Sequence, residues 1–206
     1  MLGVMDCYLK PARRQRFEID IKRSRFITTV IPVSDKPSAL REIKQIRHEF
    51  PDANHHCWAM IAGNPHDTHH QDLNDDGEPK GTAGKPMLNV LQHSGMGNMV
   101  VIVTRYFGGI KLGAGGLVRA YSSSVSNALQ QIDTTTQFIM QRWRLQLSYA
   151  QLATFEHWLK SSNIMTVDRE FSDNVTLQLD IPESNLSSLK DKAVELGGTL
   201  TQNEDV

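Results

Sequence analysis

Residues 99–121, MVVIVTRYFGGIKLGAGGLVRAY, constrain the fold more than any other stretch. The unbroken apolar run at 99–103 predicts a strand covered on both faces, because a half-solvated strand alternates with polar residues. Gly108, Gly109, Gly113, Gly115 and Gly116 then interrupt the pattern. Leu117, Tyr121, Val125, Ala128 and Ile132 resume it at helical spacing, predicting a helix from about Gly115 to Gln131 with Arg119, Ser123, Ser126 and Gln130 facing away. A strand, a glycine loop and a helix start in succession can build an anion receptor, since free N–H groups and the positive end of the dipole face one space. Arg105, Lys111 and Arg119 would add charge around it, with Tyr106 at its edge. The spacing fits neither GxGxxG in a dinucleotide fold nor the GxxxxGK[ST] phosphate loop. The competing reading is structural: the glycines turn the chain, Arg105 pairs with an acidic neighbour, and Tyr106 and Phe107 pack.

Upstream, RFEIDIK at 16–22 and RFITTVIPV at 25–33 read as strands. Ser34 or Asp35 caps a helix with Pro37 in its first turn and an apolar stripe of Ala39, Ile43, Ile46 and Phe50. NHHCWAMIAGN reads as a strand, 64–81 as a long loop, and Pro86 to Gly95 as a short helix. In the strand, His55 and Cys57 share one face, and His56 shares the other with Trp58 and Met60. The expectation is a structural cysteine rather than a Cys–His dyad, because no local acid orients the histidine. Asp75, Asp76 and Glu78 offer oxygens to a hard cation but lack EF-hand spacing, so a solvated acidic loop without metal is expected, with Thr82 placed to cap or to donate its hydroxyl.

Polar residues 131–137 read as a linker, dividing the chain into domains 1–136 and 137–206. After it, Trp143, Leu145, Leu147 and Tyr149 alternate as a strand. Leu152, Phe155 and Leu159 mark a helix, and strands follow at 164–171 and 175–181. Leu186, Leu189, Ala193 and Leu196 share a helical face before Gly197-Gly198 and a last strand. This βαββαβ order predicts a ferredoxin-like domain in an α+β chain.

Net charge is −1, split into +3 for residues 1–136 and −4 for 137–206, so neither half binds nucleic acid by charge alone. The one basic cluster, Lys10 to Arg25, reads as a solvated terminus with strand-edge charges. Cys7 and Cys57 form no CxxC, which argues against a zinc site or a disulfide framework. With neither a signal-peptide pattern nor a membrane-length apolar run, a reduced cytoplasmic setting without membrane contact is expected.

Four ordered motifs, SRFIT at 24–28, PDANHHCWA at 51–59, DDGEPKGTAGKPML at 75–88 and VTRYFGGIKLGAGGLVRAY at 103–121, resemble the IMPACT family from about residue 16 onward. The resemblance implies an N-terminal domain like the second domain of ribosomal protein S-five and a C-terminal domain similar to the last domain of elongation factor G. Eukaryotic relatives regulate translation by competing for an activator of a stress kinase. They do so with an additional RWD domain for which this chain has no room, so that partner is not expected here. The expected function is a translation-associated, non-catalytic protein contacting RNA, ribosome or a translation factor, without a cofactor. Its candidate site joins loop 108–116, Arg105, Tyr106, Lys111 and Arg119 to His56, Asp76, Glu78, Thr82 and Lys85. The alternative is an enzyme holding a nucleotide or phosphorylated metabolite on the same loop.

Overall fold

The computed structural model describes residues 7–202. Among the described residues two compact units emerge, Tyr8–Gln137 and residues 138–202 with Cys7, so that the first and last strands of the first unit each reach one residue past it. The first contains β1 (Cys7–Pro11), β2 (Gln15–Ile21), β3 (Ser24–Pro32), α1 (Lys36–Glu49), β4 (His55–Ile61), β5 (Gln71–Asn74), α2 (Gly84–Ser94), β6 (Met99–Tyr106), α3 (Ala114–Leu129) and β7 (Thr134–Phe138). Its main sheet runs β2-β3-β6-β4-β5, with every neighbouring pair antiparallel. β6 is central and fully covered, as its unbroken apolar run predicts. Alternation sends Met99, Val101 and Val103 beneath α2 and α3, with Cys57, Ala59 and Ile61 of β4. Val100 and Ile102 face α1, with Trp58 and Met60. Asp35, not Ser34, caps α1: its carboxylate accepts from the Ser38 N–H, and the Ser38 side chain returns the bond.

Three expectations change. Residues 64–81 are not a plain loop. They contain a 3₁₀ turn at Thr68–His70 and strand β5, which pairs with the otherwise open edge of β4. α2 starts at Gly84 rather than Pro86, because the Asp75 carboxylate accepts the backbone N–H groups of Ala83 and Gly84. Residues 131–137 hold more than a linker: β7 pairs with β1, and Ala12 N–H donates to the Asp133 carbonyl.

The second unit follows the order β8 (Met140–Leu147), α4 (Tyr149–Leu159), β9 (Met165–Phe171), β10 (Val175–Pro182), α5 (Leu186–Glu195), β11 (Thr199–Gln202). Its sheet is β11-β8-β10-β9, so the element order is the expected βαββαβ. Tyr149 opens α4 instead of ending β8, because Ser148 and Gln151 form a capping box ahead of it. Among the described residues no helix is long and apolar enough to cross a membrane.

Candidate functional site

Alternation along β6 decides the site. The period that buries Val101 and Val103 beneath the helices also turns Arg105 to that side, where it stands in register between His55 of β4 and Phe26 of β3. A guanidinium placed there must find a counter-charge. Arg105 Nη1 donates to Glu78 Oε1 at 2.6 Å, the two side chains being 5% and 4% exposed. The Tyr121 hydroxyl of α3 donates to the same oxygen at 2.8 Å. Nη2 donates to Ser24 Oγ at 3.3 Å, and the guanidinium lies 5.4 and 5.7 Å from the ring centres of Phe26 and Phe107. Its Nε is buried without a hydrogen-bond partner. Of the two readings of Arg105, pairing with an acidic neighbour holds, and Arg105 is not an exposed cation.

Glu78 reaches this position because the acidic loop is tied down from within. The Asp75 carboxylate accepts the N–H groups of Gly81, Ala83 and Gly84 at 2.7, 3.0 and 2.8 Å. Asp76 accepts from the Arg47 guanidinium and from the His56 backbone N–H, in a turn where Asp76 and Gly77 take φ of 44° and 86°. The buried Thr82 hydroxyl donates to the Pro79 carbonyl at 2.6 Å. The expected solvated loop is therefore corrected: Asp75 is held by backbone N–H groups, Asp76 by Arg47 and the His56 N–H, and Glu78 by Arg105 and Tyr121 through one oxygen. Among the described residues no three His, Cys, Asp or Glu groups are placed to hold a metal ion.

Cys57 is fully buried, with Sγ 3.0 Å from the Asp75 carbonyl and 3.3 Å from the Tyr121 hydroxyl. Burial pushes its thiol up to about 12. It also drives the Tyr121 hydroxyl above its usual range, so both groups stay protonated. This is a structural cysteine. His56 lies buried on the α1 side with Nδ1 3.1 Å from Thr104 Oγ1, and burial lowers its pKa. Buried in this way, His56 has no free ring face to stack on a base, although it is among the candidate site residues. The Tyr106 ring already carries the Arg25 guanidinium at 4.5 Å.

The glycine loop turns the chain where a side chain would not fit, and it leaves the start of α3 without a side-chain cap. Gly108 runs so close to the β2–β3 turn that a side-chain carbon would sit 1.9 Å from the Arg23 carbonyl oxygen. Gly113 caps α3 at φ 72°, and no side chain bonds the first-turn amides of Ala114, Gly115 and Gly116. Beside them opens a cleft of about 370 Å³ lined by His55, Glu78, Arg105, Phe107 and Lys111, with Pro79, Leu112 and Leu117 as apolar walls. Lys111 and Arg119 are exposed, and the Arg119 guanidinium folds back over Gly115. A larger groove of about 790 Å³ between α2 and α3 takes in Lys85 instead, and contains neither Glu78 nor Arg105.

The structure therefore gathers Glu78, Arg105, Lys111, the glycines and Arg119 at one end of the sheet. It places His56, Asp76, Thr82 and Lys85 in other roles. Ser24, Asn54, His55, Phe107 and Tyr121 belong to the site without having been among its candidates; Asn54 Oδ1 accepts from the Phe107 N–H at 2.7 Å. Extending the alternation of β6 by two residues would have marked Arg105 as facing inward beside His55.

Residues 22–129 match the family described as the Impact N-terminal domain. Residues 145–198 match one described as a domain of unknown function, DUF1949. An IMPACT family member of Haemophilus influenzae is 39% identical over 188 residues, covering 91% of each chain. The IMPACT family member YigZ of Escherichia coli is 38% identical over 191 residues, covering 93% of this chain and 94% of the relative. YvyE of Bacillus subtilis, also an IMPACT family member, is 38% identical over 179 residues, with coverages of 87% and 82%. A solved structure titled as the crystal structure of a hypothetical protein superposes with a TM-score of 0.78 at 36% identity, covering 98% of this chain and 100% of that one. The similarity runs through both units and through the loop that delivers Glu78 to Arg105, and the chain belongs to the IMPACT family.

Proposed function

We propose that this protein is a translation-associated RNA-binding module acting without catalysis. It holds single-stranded backbone where the β2–β3 turn, loop 107–113 and the start of α3 meet. One observation carries the reading: Lys22, Arg23, Lys111 and Arg119 are exposed there with no ion-pair partner among the described residues, beside uncapped helix amides and the exposed Phe107 ring. Gly108 packs against Arg23, which brings the turn and the loop into one surface. Cations and amides suit phosphates, and an exposed ring suits an unstacked base. Likeness of the two units to the second domain of ribosomal protein S-five and the last domain of elongation factor G belongs to the same proposal, as do a cytoplasmic setting and a ribosome or translation factor as partner. A fold by itself assigns none of these.

Titration of a labelled single-stranded RNA at several salt concentrations tests the reading. Four phosphate contacts give a slope of log affinity against log salt near about −3. Lys111→Ala with Arg119→Ala should roughly halve it. A flat titration, or a slope the double variant leaves unchanged, overturns the proposal.

A further inference from the structure

Residues 79–132 contain no aspartate or glutamate, although the chain holds 23 in 206 residues. The stretch supplies α2, β6 and α3, so the two helices over the first sheet present no anion of their own. They present cations instead. Lys80 and Lys85 are exposed with no ion-pair partner among the described residues, and His93 is exposed in the last turn of α2.

The same pair of helices leaves space between them. Val118, Ser122 and Ser126 of α3 line the groove at four-residue spacing and therefore stack on one face. Pro86, Val90 and Ser94 line it from α2 at the same spacing. Short side chains in both rows leave a trough of about 790 Å³, and Val118 stays 38% exposed within it. From Val118 to Gln130 the trough runs about 18 Å, at about 1.5 Å of rise per residue.

Shape and charge together select the occupant. A pocket for a compact ligand brings a few polar groups to one point. Here Asn89, Ser122, Ser126 and Gln130 are strung out along the length, and the lining contains no carboxylate. An elongated trough with apolar walls fits a helix whose apolar stripe repeats every three to four residues, and three turns span about 16 Å. Pro79 lines the smaller cleft together with Gly113 and Ala114, so α2 and α3 begin at the same end. Both helix dipoles direct their positive ends there, where Lys80 and Lys85 also lie. Carboxylates on an incoming helix meet lysines and two dipoles at once, whereas a basic helix is repelled.

We propose that the trough between α2 and α3 docks an acidic amphipathic helix of a partner protein, its apolar stripe against Val90 and Val118 and its carboxylates beside Lys80 and Lys85. The surface uses neither Lys111 nor Arg119, so it stands independently of the RNA reading.

The test uses the full chain and three labelled synthetic helical peptides of about 16 residues, followed by fluorescence anisotropy. The first carries a leucine stripe flanked by glutamates, the second the same stripe flanked by lysines. The third is the glutamate peptide with its leucines scattered around the helix. The glutamate peptide should bind with a Kd on the order of 10 μM, and the other two at least about tenfold more weakly. Lys80→Glu with Lys85→Glu should reverse the preference in favour of the lysine peptide, an outcome that loss of fold does not produce. Ser122→Phe, at a half-buried position inside the trough, should abolish peptide binding while leaving RNA affinity unchanged. Equal binding of the glutamate and lysine peptides, or no binding of the glutamate peptide up to about 1 mM, overturns the proposal. A single-stranded RNA that displaces the peptide and loses affinity in Ser122→Phe also overturns it, because the trough then belongs to nucleic acid. Charge-selective peptide binding without any RNA binding sustains the proposal and sinks the RNA reading.

Discussion

Arg105→Met removes a guanidinium from a site where both partners are almost wholly withdrawn from water. The variant leaves the Glu78 carboxylate buried with the Tyr121 hydroxyl as its one remaining donor among the described residues. Breaking a buried pair on one side costs about 3–5 kcal/mol, mostly the desolvation of the charge left behind. Glu78→Gln exposes the same problem from the other side, stranding a guanidinium whose Nε already lacks a partner. The double variant Arg105→Met with Glu78→Gln leaves no net charge in the site and should lie within about 1–2 kcal/mol of the parent. The coupling between the positions is then several kcal/mol, far above that of an exposed pair. Urea unfolding read by Trp58 fluorescence, with Trp143 and Trp158 replaced by Phe, reports on this unit alone. With a slope near about 2 kcal/mol per molar urea, each single variant loses about 2 M in midpoint and the double recovers most of it. A single variant costing under about 1 kcal/mol, or a double variant no better than the singles, would refute the assignment of a desolvated ion pair.

Two further outcomes follow from the same core. The folded Cys57 thiol titrates at about 12 against 9.0 in the unfolded chain, so its contribution is complete below the unfolded value and is lost as pH rises toward the folded one. Stability should fall by about 1.4 kcal/mol per pH unit above about pH 9, Cys57→Ala should flatten that fall, and a thiol reagent at neutral pH should reach the half-buried Cys7 only. Gly108→Ala would drive a methyl group into the Arg23 carbonyl and should cost about 1–3 kcal/mol, read as a midpoint shift in the same urea assay, whereas an unchanged midpoint would show that the turn and the loop are not in contact.

Legibility in the sequence tracked how local each cause is. β6, α1 and the βαββαβ order were readable because periodicity and caps act over a few residues. β5 and β7 were not, since strands of four and five residues carry little pattern and are defined by pairing with distant β4 and β1. The site divides the same way. The glycines and the cations around α3 are plain in the text of the chain, because their spacing expresses a loop and a helix start.

What the sequence by itself determined was the inventory: a covered strand, a loop that only glycine can follow, and a helix with an open beginning. Tertiary structure alone decided that Glu78, 27 residues from Arg105, neutralises it, and that Tyr121, 43 residues from Glu78, shares its oxygen. No local rule links those positions. Burial forces the charges to meet, and the bonds of Asp75 to three backbone amides aim the loop so that they do.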